Sequence, residues 1–115
     1  SGDRSTAATS GDRSTAATSG YESTAATSGY LSTAATSGDR STAIVEGKES
    51  VAVVTGKDSK AKGALGCWLV LTERGEWNGE TYPIIEVRAV KVDGVTINPE
   101  TFYALKDGKV VDVKG

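Results

Sequence analysis

From Ser1 to Gly63 the chain repeats with a period of nine. The unit reads Ser-Gly-x-x-Ser-Thr-Ala-Ala-Thr, and three of its positions never change in seven copies. Glycine stands at Gly2, Gly11, Gly20, Gly29, Gly38, Gly47 and Gly56. Serine stands at Ser5, Ser14, Ser23, Ser32, Ser41, Ser50 and Ser59, and alanine at Ala7, Ala16, Ala25, Ala34, Ala43, Ala52 and Ala61. A flexible Ser/Thr/Ala/Gly linker has no reason to hold three positions constant while their neighbours drift. A stack of coils does, because each position then has one fixed environment. A glycine and several hydroxyl residues in every nine argue against helix. The unit therefore predicts a short strand, Ser-Thr-Ala-Ala-Thr, and a bend at Gly-x-x, with the glycine free to take a positive φ.

Strand alternation sorts the side chains into two sets. In the last copy Lys60 and Lys62 cannot enter a thin dry core, since an unpaired buried charge costs too much. Ser59, Ala61 and Gly63 then point inward. The same parity places every repeat serine and alanine in the core, together with Thr9 and its counterparts, which give way to Val45 and Val54. One strand and one bend cannot close a coil, whereas two of each can, so the coil should span two repeat units. Read at every second unit, Arg4, Glu22, Arg40 and Asp58 alternate in sign; read at every unit, Arg4 would meet Arg13. The predicted fold is all-β: a parallel β-solenoid, a two-sheet β-roll of about 18 residues per coil, with a three-sided coil of about 27 as the alternative. Outward positions of the odd copies are Thr6, Ala8, Thr24, Ala26, Thr42, Ile44, Lys60 and Lys62. Those of the even copies are Thr15, Ala17, Thr33, Ala35, Val51 and Val53, with Tyr30 and Leu31 near one edge. The even-copy set is small and uncharged, a surface suited to association.

The repeat ends at Gly63, and residues 64–115 form a second segment richer in aromatics. It reads as four or five antiparallel strands. Trp68–Glu73 is strongly apolar, Thr81–Asp93 is long, and Asp107-Gly108 between Thr101–Lys106 and Lys109–Val113 is a hairpin signal. This segment is expected to cap the solenoid end with Leu65, Trp68, Leu69, Leu71, Ile84, Ile85, Val87 and Phe102, and with Trp77 packed in as well. Ser1 opens a full repeat with nothing before it that resembles a cap. The chain is thus expected to continue on its N-terminal side in the natural protein.

The chemistry available is narrow. Net charge is −2, from 13 basic and 15 acidic residues, which offers no cationic surface for nucleic acid. No apolar run approaches the ~18 residues of a membrane helix. No signal peptide is legible, and a cytoplasmic or phage-associated location is expected. Serines are many, but there is no histidine to activate one. The lone cysteine, Cys67, reads as a small buried hydrophobe. Glu76 and Glu80 lie in a polar turn, and Gly56–Ser59 lacks the spacing of a phosphate loop. Calcium-binding nonapeptide rolls need an Asp at one fixed place in each copy. The third position here runs Asp3, Asp12, Tyr21, Tyr30, Asp39, Lys48, Lys57, so no metal or cofactor is expected.

Three resemblances bear on function. Ser19–Thr27 (SGYESTAAT) is similar to bacterial ice-nucleation repeats, although it would present Thr-x-Ala outward rather than Thr-x-Thr. The Gly-x-x-Ser-x-Ala pattern resembles the head β-rolls of trimeric autotransporters, which implies a narrow Ser/Ala core and an outer face used for assembly. The stretch from the repeats through Gly63-Ala64-Leu65-Gly66-Cys67-Trp68-Leu69-Val70-Leu71 is similar to uncharacterised bacterial and phage-encoded repeat proteins that end in such a cap. Together these lead to the expectation of a non-enzymatic structural rod or spacer that forms homo-oligomers. The alternative is a binding module for ice or for a repetitive partner surface.

Overall fold

The computed structural model of the chain describes residues 6–113; Gly2, Ser5 and the Arg4 of the charge series lie outside the described residues. Seven short strands come first: β1 (Thr6–Thr9), β2 (Thr15–Thr18), β3 (Thr24–Thr27), β4 (Thr33–Thr36), β5 (Thr42–Val45), β6 (Val51–Val54) and β7 (Lys60–Gly63). Each pairs in parallel with its counterpart two repeat units away. Ala7 meets Ala25, which meets Ala43, which meets Ala61, while Ala16, Ala34 and Ala52 form the facing column. The molecule is therefore a two-sheet β-solenoid with two repeat units per coil, and the three-sided alternative does not occur. Ala25, Ala34, Ala43, Ala52 and Ala61 have no solvent exposure, and Ser23, Ser32, Ser41, Ser50 and Ser59 are buried beside them. In the first described strands burial is less complete: Ala16 is buried, while Ala7 and Ser14 are half-buried.

The bend works differently from the expectation. The repeat glycines do not supply the positive φ. The residue before each serine does: Arg13, Glu22, Leu31, Arg40, Glu49 and Asp58 all have φ between 54° and 59°. That left-handed conformation is disfavoured for any residue with a Cβ. The glycine is invariant for a steric reason. A Cβ on Gly38 would stand 2.0 Å from the Gly20 carbonyl oxygen, and one on Gly29 would stand 2.0 Å from that of Gly11. Successive coils touch backbone to backbone at this point, so no side chain fits there.

The serine hydroxyl completes the turn. Ser41 Oγ accepts from the Ser23 N–H (3.1 Å) and donates to the Gly20 carbonyl (3.1 Å). Ser32 and Ser50 bridge to the coil before them in the same way, and Ser59 Oγ does so toward Ser41 and Gly38. A left-handed residue turns its neighbours' amides out of the strand ladder, and buried amides need partners. Each hydroxyl satisfies one donor and one acceptor of the preceding coil. Backbone and serine bonds thus set the register. The charge series is not what joins the coils at Arg40 and Asp58, since the Arg40 guanidinium lies over the Tyr21 ring at 5.9 Å and Asp58 pairs with Lys57 at 3.3 Å.

The stack runs one strand further than the repeat is legible. β8 (Trp68–Arg74) lies parallel to β6, with Trp68 on Val51, Leu69 on Ala52 and Val70 on Val53. Cys67 takes the serine place, its thiol donating to the Gly47 carbonyl at 2.9 Å as Ser50 does to Gly29. The turn before it is one residue shorter and uses Gly66, φ 92°, as its left-handed residue. Three antiparallel strands follow: β9 (Ile84–Lys91), β10 (Phe102–Lys106) and β11 (Lys109–Val113). They extend the two existing sheets, whose orders become β1-β3-β5-β7-β10-β11 and β2-β4-β6-β8-β9. Asp107 and Gly108 form the β10–β11 turn, both at positive φ, and their N–H groups donate to the Glu73 carboxylate.

The cap core keeps Leu69 and Leu71 of the expected set, has Phe102 half-buried at its margin, and otherwise uses different residues. Leu69, Leu71, Val92, Ile97, Tyr103 and Leu105 are buried, and Tyr103 Oη accepts from the Asn98 N–H at 2.8 Å. Leu65, Trp68, Ile84, Ile85 and Val87 are exposed instead, as is Trp77, whose ring meets the edge of Tyr82. The reason is topological. The register on β8 sets Ala89 beside the outward Val70 and Val87 beside Thr72, so Ile85, Val87 and Ala89 project outward, whereas Val90, opposite Leu69, packs against the core.

Candidate interaction surface

The two outer faces carry different chemistry. On the odd-copy sheet the outward columns run Thr24–Thr42–Lys60 and Ala26–Ile44–Lys62. Phe102 ends them, with both ammonium groups 4.8 Å from its ring centre. A cation over an aromatic face is attracted by the ring quadrupole. This face therefore closes on a positively charged, aromatic-backed end.

The outward columns of the even-copy sheet are uncharged across four strands, although β8 ends in Glu73 and Arg74. The columns are Thr15–Thr33–Val51–Trp68 and Ala17–Ala35–Val53–Val70, and the second continues to Ala89 on β9. Thr15 and Ala17 are exposed, Thr33, Ala35, Val51 and Val53 are half-buried, and Trp68 is 45% exposed. Side-chain size grows along the columns from alanine and threonine to valine and tryptophan. Charge enters at the border, with Arg74 at the end of β8 and Lys91 opposite Trp68 at the β9 edge. Tyr30 and Leu31 are exposed but stand on the turn before β4, not on the face. The Tyr30 N–H donates to Asp12 Oδ1 (3.3 Å) and the Leu31 N–H to the Lys48 carbonyl (3.1 Å), so charged turns flank them on both sides.

Sequence reasoning missed Trp68, Val70 and Ala89 as members of this face. The signal was present: Cys67-Trp68-Leu69-Val70-Leu71 is a Ser-Thr-Ala-Ala-Thr unit with every side chain enlarged. It was masked by the shortened turn, which brings Cys67 one position too close to Ser59 for the period of nine.

The titratable groups offer little chemistry. Asp93 Oδ1 accepts from the N–H groups of Ile97, Val95 and Thr96, and these bonds hold its carboxyl below the usual carboxylate range. This is an exposed turn anchor. Among the described residues no three histidine, cysteine, aspartate or glutamate side chains come together to hold a metal ion. Cys67 is buried, with its thiol committed to Gly47. No protein-family model, no curated protein and no solved structure matches the chain.

Proposed function

We propose that the chain is a structural β-solenoid, a rod or spacer, that associates with further copies of itself through the even-copy face. The observation that carries this reading is the uncharged surface running unbroken from Thr15 and Ala17 on β2 to Trp68 and Val70 on β8. Flat strands with short side chains allow close approach of a second flat face, and a patch of this kind favours association. Light scattering over a concentration series tests it. The mass of the chain should rise with concentration, and Val51→Lys with Val53→Lys should lower the mass reached at the highest concentration. A mass that does not respond to concentration, or one that the two lysines leave unchanged, would end the reading. The ice-binding alternative has weaker support, because the outward threonine column stops at Thr33 and continues as Val51 and Trp68.

A further inference from the structure

Strand β9 closes the even-copy sheet with β8 on one side and, among the described residues, no strand on the other. An open edge presents unpaired N–H and C=O groups, and proteins usually blunt it with a short strand, a proline, a bulge or a charge. β9 has eight residues, Pro83 lies just before it, and its register shift falls at Glu73/Arg74. The stretch from Glu86 to Lys91 is regular, and of its three charges Glu86 and Arg88 offset each other. Ile84, Ile85 and Val87 around its first half are 56%, 61% and 53% exposed.

The charges identify what would fit. Glu86 and Arg88 flank Val87 on one side of the strand and pair with each other. We propose that β9 is a seam for edge-to-edge, antiparallel pairing with β9 of a second copy, with the two-fold axis through Val87. This register sets Glu86 of each chain opposite Arg88 of the other and Ile85 opposite Ala89. Opposed unlike charges stabilise a strand pair, and a two-fold contact must be self-complementary. Alternation restricts the choice. Opposed residues must project to the same side, so the axis must pass through a residue. Moved to Glu86 or Arg88 it sets like charges together, and moved to Ile85 or Ala89 it leaves both charges opposite other residues. A parallel in-register pair would oppose Glu86 to Glu86. Only the Val87 axis matches both charges. Pairing would also join the even-copy sheets of the two chains into one continuous sheet.

This inference does not depend on the face reading, and its test is run with that face disabled. The Val51→Lys/Val53→Lys chain should remain a dimer in sedimentation equilibrium. Glu86→Arg added to it should halve the mass, and so should Arg88→Glu. The two charge changes together should restore the dimer, because the swapped pair is again complementary. Circular dichroism and thermal melting establish that each variant is folded. Amide exchange at Glu86–Val90 in the unmodified chain, which needs no charge variant, should slow as concentration rises. A monomer before any charge change, a dimer indifferent to the single changes, or failure of the double change to restore pairing would each overturn the proposal.

Discussion

In strands β3–β7 an inward position holds a glycine, an alanine, a threonine or at most a valine, whereas in β8 and β10 the large inward residues are leucine and tyrosine. The two regions share sheets and still stay folded by different means. Alanine methyls bury little area, so the repeat stack cannot rely on apolar volume. It relies on close backbone stacking at glycine and on serine hydroxyls spanning each joint. The C-terminal segment keeps one such joint, at its start, where the Cys67 thiol donates to the Gly47 carbonyl. It fills space with Leu69, Leu71, Val92 and Leu105, and it leaves Ile84, Ile85 and Val87 exposed. Where a position is defined by backbone contact, one residue type is tolerated and the sequence repeats. Where it is defined by volume, many types serve and the repeat disappears.

Substitutions separate the two modes. Gly38→Ala should be the most damaging change, costing about 4 kcal/mol or more, because its Cβ would stand 2.0 Å from the rigid Gly20 carbonyl. A urea or thermal melt decides this, and tolerance of alanine there would remove the steric account of the repeat. Leu69→Ala should cost about 3 kcal/mol, typical of a large core side chain replaced by a small one. If it cost more than Gly38→Ala, volume rather than backbone contact would be the dominant constraint. Ser41→Ala should cost about 2 kcal/mol, since it leaves the buried Ser23 N–H and Gly20 carbonyl without this partner. Ser41→Cys should recover part of that loss, as Cys67 occupies the same place in β8's turn.

The smallest expected effect has the opposite sign. The inward threonines Thr27 and Thr36 have buried hydroxyls with no hydrogen-bond partner, and their columns continue as Val45 and Val54. Replacing both with valine should raise stability by about 1 kcal/mol per site, read as a higher melting temperature. A loss of stability would mean that these hydroxyls have partners not visible in the chain itself.

The two-unit coil, the inward alanine and serine columns and the two outer faces were legible in the chain alone, because a strict period exposes which positions share an environment. The role of glycine was not legible, since positive φ and the absence of space both demand the same residue. Only the φ values at Arg13 through Asp58 separate the two causes. The β8 copy was hidden by one missing turn residue. Leu69 and Leu71 of the cap core were legible, but Ile84, Ile85 and Val87 were misplaced because they look like core in any one-dimensional pattern.

The stack follows from the repeat with no further information, because identical residues at identical spacing can be satisfied together only by identical coils in register. Which apolar residues after Gly63 are covered is a tertiary matter. Burial there depends on which side of β9 faces the core, and that is set by its register on β8 rather than by its own pattern of residues. The same geometry leaves the β9 edge open and carries Trp68 and Val70 out onto the even-copy face.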